Sequence, residues 1–450
     1  MGTPSTGVTE IAARLDRLPL SSFHRRVLYA LAFGFFFELA DLNTFAYAAP
    51  GLREYLHLRV VEIGYITSGS FLGMFVGAAG AGWLADRLGR RRTLIVSVLW
   101  YSVCSLLNAF AWDTTTLLAA RLLTGAGLGA MTVVAITYLS ETMPRTHRGR
   151  MQGAVLAIGL IGIPVMAFVA RAVVPTGPNG WRWVFGFGAL GVFAVALLRR
   201  LPESPRWLLS IGHRERAVAT VAAIEHEVRK ASGPLPEVEI NEDVSPPTRI
   251  SVRMLLQPPL RRRTAMLLAA WIFQTLGFYG FVSWVPTLLA EHGFSLATSL
   301  TFSALTTIGA VPGALLAWPI SDRFHRKAPA VIVAVLIAAC GISYGLSFNA
   351  VAIVAFGFAV SFLIQTFAAL LYAYTPELYP TSVRNTGSGL AYGIGRLANI
   401  FGPLLVAAIY SYAGYAWVFV YIGACWLAVA AAIAILGPRS GQVGLEEFEI

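Results

Sequence analysis

GWLADRLGRRR at 82–92 and WPISDRFHRK at 318–327 decide how this chain folds. Each sets an acid and a run of bases between two long apolar stretches, and Asp86 and Asp322 lie 236 residues apart. ETMPRTHRGR at 141–150 and ELYPTSVRNTG at 377–387 repeat that offset: Glu141 to Glu377, Pro144 to Pro380 and Arg148 to Arg384 are each 236 residues. Basic loops recur in any polytopic protein, but loop chemistry alone does not fix one common offset. Duplication does, and the spacing predicts two parallel halves of similar structure.

The residues around these loops are apolar. Of 450 residues 56% are hydrophobic and 13% charged, about half the charged share of a soluble globular protein. That excludes a disordered chain, a coiled coil and an ordinary water-soluble enzyme. A helix needs about 20 apolar residues to cross a bilayer. Twelve such stretches occur, near 27–50, 62–85, 93–112, 116–140, 151–174, 181–200, 263–288, 297–321, 328–347, 350–375, 385–410 and 415–436. Lipid cannot satisfy an open strand edge, so helices are expected. The expected fold is an all-α membrane protein with twelve transmembrane helices in two six-helix pseudo-symmetric bundles, 27–200 and 263–436. Residues 1–26 and 437–450 would be tails and 201–262 a linker. Within the linker 212–231 reads as a short amphipathic helix, and the remainder is polar with Pro234, Pro236, Pro246 and Pro247.

The net charge is +11. A nucleic-acid binder would gather such charge on one soluble domain, whereas here it falls in short runs between apolar blocks. One side of the membrane receives Arg14, Arg17, Arg25, Arg26, Arg87, Arg90–Arg92, Arg145, Arg148, Arg150, Arg323, Arg326, Lys327, Arg384 and Arg439; the other receives Arg53, Arg59, Arg171 and Arg182. The positive-inside rule places both termini and 201–262 in the cytoplasm, with the chain in the inner membrane. Cys104, Cys340 and Cys425 lie inside apolar blocks and suggest neither a disulfide framework nor a metal site. No P-loop, zinc-spaced His/Cys cluster or catalytic set is present, so no cofactor, no ATP and no enzymatic activity are expected. The expected partners are the lipid bilayer, protons and a small molecule, with the chain acting as a monomer.

Gly82, Asp86, Arg87, Gly89, Arg90 and Arg91 match the signature between the second and third helices of the major facilitator superfamily, which this chain resembles over nearly its whole length. Arg121 with Gly125, Gly127 and Gly129 is similar to that family's fourth-helix motif. PESPRWLL at 202–209 resembles the sugar-porter element after helix six, and RNTGSGLAYGIGRLANIFGP at 384–403 resembles helix eleven of nicotinate, aromatic-acid and organic-ion carriers. The resemblance implies alternating access and a cytoplasmic gate built from Asp86, Arg90, Arg91, Glu141, Arg148, Glu203 and Arg206, with Asp322, Arg326, Glu377 and Arg384. Opposite charges on the two bundles would latch that mouth shut in the outward-open state.

Charges in the spans mark the candidate site. Glu38 and Asp41 fall near the middle of span one, three residues apart and so on one helical face. A buried carboxylate is retained where it pairs, faces water or takes a proton. Glu-x-x-Asp is similar to the Asp-x-x-Asp of aromatic-acid/proton symporters. Counted at ~1.5 Å per residue, Arg121 lies at a depth close to that of Asp41, its expected partner. Arg396 sits mid-membrane in span eleven with Tyr392 and Asn399 on its face, and its repeat equivalent is Leu160, so its charge belongs to one half only. A guanidinium fork suits a carboxylate. Trp271, Gln274, Phe278 and Phe281 in span seven, and Phe362, Gln365 and Tyr372 in span ten, offer amides among aromatics for a ring-bearing ligand. Gly69, Gly73 and Gly77, and Gly389 with Gly393, have the small-xxx-small spacing of closely packed helices.

The reading that follows is a secondary carrier importing a small organic anion, an aromatic or heteroaromatic carboxylate, with protons. Glu38, Asp41 and Arg121 would couple protons; Arg396, Tyr392, Asn399, Gln274, Phe278, Gln365 and Tyr372 would bind substrate. A cation carrier, a sugar or polyol porter and an efflux antiporter remain alternatives, and a sensor of the same fold is a further one.

Overall fold

The computed structural model describes residues 4–238, 252–258, 260–323, 325–380 and 383–438. Among them the regular structure is helical throughout. Helix α1 (Pro4–Asp16) precedes α2 (Ser22–Leu56), α3 (Val60–Leu88), α4 (Arg90–Asn108) and α5 (Thr114–Thr142). The fifth span is broken into α6 (Arg148–Leu160) and α7 (Gly162–Val173), and the sixth into α8 (Gly180–Ala189) and α9 (Ala194–Leu198). After α10 (Pro205–Ser210) and α11 (Arg214–Ser232), the second half runs α12 (Leu260–Val282), α13 (Val285–Glu291), α14 (Leu296–Thr307), α15 (Ala310–Arg323), α16 (Lys327–Leu346), α17 (Ala350–Glu377), α18 (Arg384–Ala413) and α19 (Tyr415–Leu436). Among the described residues eleven helical stretches, counting the broken fifth and sixth spans as one each, are long and apolar enough to cross a membrane. The twelfth expected span is α4, whose first turn is Arg90–Arg92 and whose average polarity is raised accordingly.

Local chemistry explains the breaks. The fifth span turns at Ile161, between Gly159 and Gly162. A Cβ on Gly162 would strike the Phe36 carbonyl, so the glycine is what lets α7 lie against α2. The seventh span stops at Trp284 and restarts with Pro286 in the first turn of α13, where a missing N–H costs nothing.

The 236-residue offset is realised contact by contact. Arg90 Nε donates to Glu141 Oε1 at 3.1 Å, and Arg326 Nε to Glu377 Oε1 at 3.2 Å. Arg148 Nε donates to the Met143 carbonyl at 2.9 Å, and Arg384 Nε to that of Tyr379 at 3.2 Å. Tyr138 closes on the Pro202 carbonyl at 2.7 Å, and Tyr374 on that of Pro438 at 2.6 Å. Gly77 leaves room for the Ala126 backbone and Gly313 for that of Phe362. In lipid such close backbone approach, rather than apolar burial from water, supplies much of the packing energy.

Gly73 and Gly77 do what their spacing predicts, since Cβ atoms there would collide with α5. Gly389 and Gly393 do not: nothing lies within 4 Å of a Cβ at either position. They turn to open space on the stripe that also carries Arg396, so the expected close helix contact there is corrected.

The segment expected as a tail is partly helical and docked. Arg14 of α1 and Arg17 just after it both reach Glu225 of α11, at 2.6 and 2.7 Å, and Asp16 pairs with Arg148 at 2.8 Å. The expected amphipathic helix at 212–231 is α11. It turns Ala217, Val221, Ile224 and Val228 inward, at the three- and four-residue spacing of one helical face.

Candidate functional site

Glu38 and Asp41 share a face of α2 but engage different neighbours. Both are buried, Asp41 completely. Asp41 Oδ1 accepts from Ser105 of α4, whose hydroxyl also lies 3.2 Å from the Phe185 carbonyl. Gly188 of α8 makes this possible, because a Cβ there would overlap the Asp41 carboxylate. Asp41 Oδ2 accepts no hydrogen bond and lies 3.6 Å from Arg121 Nη1.

Arg121 is 1% exposed. Its hydrogen bonds go to hydroxyls instead: Nε to Ser70 Oγ and Nη1 to Thr44 Oγ1, each at 3.1 Å. The guanidinium thus stands beside the carboxylate, attracted by charge, without the directed bond that would lock the pair.

Glu38 accepts from Thr132 of α5 at 2.8 Å through Oε1, while Oε2 is buried without a hydrogen-bond partner. The positive charge acting on it comes from the other half of the molecule, from Arg396.

Arg396 is placed by its neighbour. Gly395 packs on α12, where a Cβ would lie 3.1 Å from Thr275 Oγ1 and 3.3 Å from the Trp271 ring. This brings α18, the helix that carries Arg396, close to α12 and to an aromatic trio. Trp271 meets Tyr372 at 4.9 Å and Tyr392 at 4.8 Å, both edge-to-face, and the two tyrosines lie 5.2 Å apart. Trp271 Nε1 donates to Thr375 at 3.0 Å, which fixes the indole. Arg396 itself makes no hydrogen bond or ion pair with another described residue. A half-buried guanidinium with no acceptor among the described residues, on the same helix stripe as the open Gly389 and Gly393, can take a planar anion.

The other expected pocket residues divide. Gln274 is buried and accepts from Thr275 at 3.4 Å; Asn399 is buried with Oδ1 unpartnered. Phe278 stands beside Tyr279, ring centroids 4.8 Å apart. Gln365 is partly buried on α17 with no hydrogen bond to another described residue. Phe281 and Phe362 leave the set. Phe281 packs against Tyr344 and Phe419 inside the second half; the Phe362 backbone closes on Gly313 of α15 and its ring stacks on Phe358 of its own helix. The spacing of span seven also passed over Tyr279. Its ring meets Phe71 of α3 at 4.8 Å across the two halves, and the charges of Arg396 and Glu38 both act on it. Ser105, Thr132, Thr44 and Ser70 were missed too, because a hydroxyl in a span carries no signal until the facing helix is known.

The expected gate residues gather at one end. Arg90 binds Asp86 at 2.9 Å and Glu141 at 3.1 Å; Glu141 also accepts from Ser204 at 2.5 Å, and Glu203 from the Arg91 amide at 2.9 Å. Asp16 faces Arg148 and, at 3.9 Å, Arg206. In the second half Arg326 binds Glu377 and Arg384 binds the Tyr379 carbonyl. The side chain of Asp322 lies outside the described residues. These ion pairs among the described residues each stay within one half; the latch between bundles is expected of the outward-open state. The links between halves lie at the other end, where Arg53 pairs with Glu291 and Arg171 donates to Thr301 at 2.5 Å. Glu291 also accepts from Tyr410 at 3.1 Å.

The family model described as "Sugar (and other) transporter" matches residues 25–450. The chain is 44% identical over 432 residues to YyaJ of Bacillus subtilis (strain 168), named for metabolite transport, covering 95% of each chain. It is 32% identical to the niacin transporter NiaP of Acinetobacter baylyi, covering 98% of this chain and 99% of that one. Among solved structures it is similar to the D-xylose–proton symporter, with a TM-score of 0.74 and 18% identity over 93% of this chain and 99% of that one. That likeness shows the fold. The family and these relatives are transporters, not enzymes. The chain belongs to the sugar (and other) transporter family, as a multi-pass membrane protein that moves small molecules.

Proposed function

We propose that this protein is a proton-coupled symporter that imports a small aromatic or heteroaromatic carboxylate across the inner membrane, with both termini and the Arg90 end facing the cytoplasm. Arg396 anchors the carboxylate, and Trp271, Tyr372 and Tyr392 receive the ring. Gln274, Asn399, Phe278 and Gln365 complete the pocket. Glu38 and Asp41 carry the coupling protons, and Arg121 is drawn toward Asp41 whenever that acid is charged. The observation that carries the reading is an Arg396 guanidinium with no hydrogen bond or ion pair to another described residue, four positions from Tyr392, whose ring meets Trp271 and Tyr372. Niacin, the cargo in the name of one relative, is a heteroaromatic carboxylate and fits that chemistry.

The energetics permit accumulation. One pH unit supplies about 1.4 kcal/mol per proton, and 100 mV about 2.3 kcal/mol per charge. One proton with a monoanion moves no net charge and draws on the pH gradient alone. A second proton, for which α2 holds a second acid, would recruit the voltage.

Uptake into proteoliposomes tests this. With acid outside, labelled nicotinate or benzoate accumulates. Arg396→Ala removes a charge-assisted contact worth about 3 kcal/mol and lowers uptake on the order of 100-fold. Asp41→Asn retains exchange but loses gradient-driven accumulation. Accumulation of organic cations, indifferent to Arg396→Ala, would overturn the anion reading.

A further inference from the structure

Several hydroxyls in the spans are spent on their own helix. Thr67 donates to the Ile63 carbonyl, Ser70 to that of Ile66 and Thr124 to that of Ala120, each one turn back. Ser105 of α4 differs. Both of its hydrogen-bond contacts are on other helices: Asp41 Oδ1 of α2, and the Phe185 carbonyl of α8 at 3.2 Å. The serine and the acid are both fully enclosed. Gly188 of α8 permits the approach, since a Cβ there would meet Asp41 Oδ1 and the Ser105 hydroxyl together. One hydroxyl, with one proton to give, therefore has two acceptors in reach, and its oxygen can itself accept.

The two oxygens of Asp41 face unlike neighbours. Oδ2 lies near Arg121, whose guanidinium carries donors only, so a proton on Oδ2 would find no acceptor there. Oδ1 meets Ser105, which can donate or accept. Arg121 does not need the acid's charge to be satisfied. It donates to Thr44 and Ser70, which pass their own protons to the Asp41 and Ile66 backbone carbonyls. Among the described residues Ser105 alone hydrogen-bonds the Asp41 carboxylate.

We propose that Ser105 is a positioning residue, a hydroxyl switch that serves both charge states of Asp41. The serine donates to the carboxylate. When Oδ1 takes a proton from water, Ser105 Oγ accepts that proton's hydrogen bond and turns its own proton to the Phe185 carbonyl. The proposal rests on the reading of Asp41 as a coupling proton site. The serine gives up no proton, so the only bond formed is the O–H on Oδ1, at the expense of an O–H of the water-borne proton. The acid can then change charge in place without leaving a buried group unpaired in either state. A fixed N–H in the same position would suit the carboxylate alone. The other charged and titratable groups around Asp41 are Glu38 on its own helix, Arg121 of α5, and Tyr101 and Cys104 of α4.

Infrared difference spectra of the purified full-length protein, titrated between about pH 4 and 9, read both states. The carbonyl stretch of a protonated carboxyl grows as the acid takes its proton, and the part lost in Asp41→Asn belongs to Asp41. Ser105→Ala removes a charge-assisted bond from the carboxylate and a weaker, neutral one from the acid. The pH of half-protonation is therefore expected to rise by about one unit, a gain of about tenfold in proton affinity. The carbonyl frequency of protonated Asp41 is expected to move as well, because the neutral form has lost a partner too. Ser105→Cys, close to serine in shape but a weak donor and acceptor, should move both in the same sense by less. An unmoved midpoint in both variants would show that the hydroxyl does not serve the carboxylate; an unmoved frequency, that it does not serve the acid. Either overturns the switch and leaves Asp41 as a proton site. Should no titrating carboxyl band be lost in Asp41→Asn, the proton reading of this acid falls and the switch with it.

Discussion

The two ends of the molecule use the same chemistry for different purposes. At the end bearing Arg90 and Arg326, these ion pairs among the described residues each close within one half: Arg90 with Asp86 and Glu141, Arg326 with Glu377, Asp16 with Arg148. At the end bearing Arg53, the polar links run between halves, Arg53 to Glu291 and Arg171 to Thr301. Pairs of the first kind give each bundle a fixed shape and are indifferent to how the bundles are arranged. Pairs of the second kind exist in one arrangement and must break in another. The structure therefore stands tied at the Arg53 end, with the open Gly389–Gly393 stripe leading from the opposite end toward Arg396.

The largest effect expected from this contrast is on stability. Glu141 and Arg90 are mostly buried, with 15% and 13% of their side chains exposed. Glu141→Gln leaves the Arg90 charge underpaired at a cost of about 3 kcal/mol. A thermal melt of the purified protein should show a clear fall in midpoint, with solvent access to the Arg53 end unchanged. If access changed and the midpoint did not, the assignment of this pair to one bundle's shape would be wrong.

A smaller effect, and one of a different kind, is expected from Arg53→Ala. The Arg53 side chain is 37% exposed, so its pair is screened and worth up to about 1 kcal/mol, or about fivefold in population. The midpoint should barely move, whereas a cysteine introduced as Ala297→Cys at that end should react several-fold faster with a water-soluble maleimide. An unchanged rate would mean that the pair does not restrain opening.

The smallest effect concerns α1. Burial pushes the Glu225 carboxyl upward, but hydrogen bonds and charge from Arg14 and Arg17 outweigh it and hold the group below the usual carboxylate range. A carboxylate depressed in the folded state contributes its full stabilisation above its unfolded pKa of about 4.3 and loses it as pH falls through the lower folded value. Amide exchange in residues 4–16 should thus be flat from neutral pH down to about pH 5 and rise only in stronger acid, once corrected for intrinsic rates. Loosening already near pH 6 would show that another group holds α1.

Much of this architecture is legible in the sequence for physical reasons. Apolar length reports a span directly, and a shared offset reports a repeat, so the helices and the equivalence of Arg90–Glu141 with Arg326–Glu377 follow without coordinates. Depth counting brings Asp41 and Arg121 together because both helices cross the same slab, and the structure sets them 3.6 Å apart. Azimuth is harder to read. Nothing in the spacing of Gly389 and Gly393 distinguishes a face turned to a neighbour from one turned to open space, and span seven's pattern of Trp271, Gln274, Phe278 and Phe281 selected a stripe whose last member is core while passing over Tyr279. A hydroxyl such as Ser105 or Thr132 is equally at home bonded to its own helix, so only the facing acid reveals its use.

The most direct test of the account is the distance between spin labels across the two halves, one pair at each end, with and without nicotinate in an acidic medium. Alternation predicts reciprocal changes. Without substrate the pair at the Arg53 end gives a short, narrow distribution and the pair at the Arg90 end a long one; on cycling, the first lengthens as the second shortens. Distances at both ends that stay fixed, or that change in the same sense, would contradict the account.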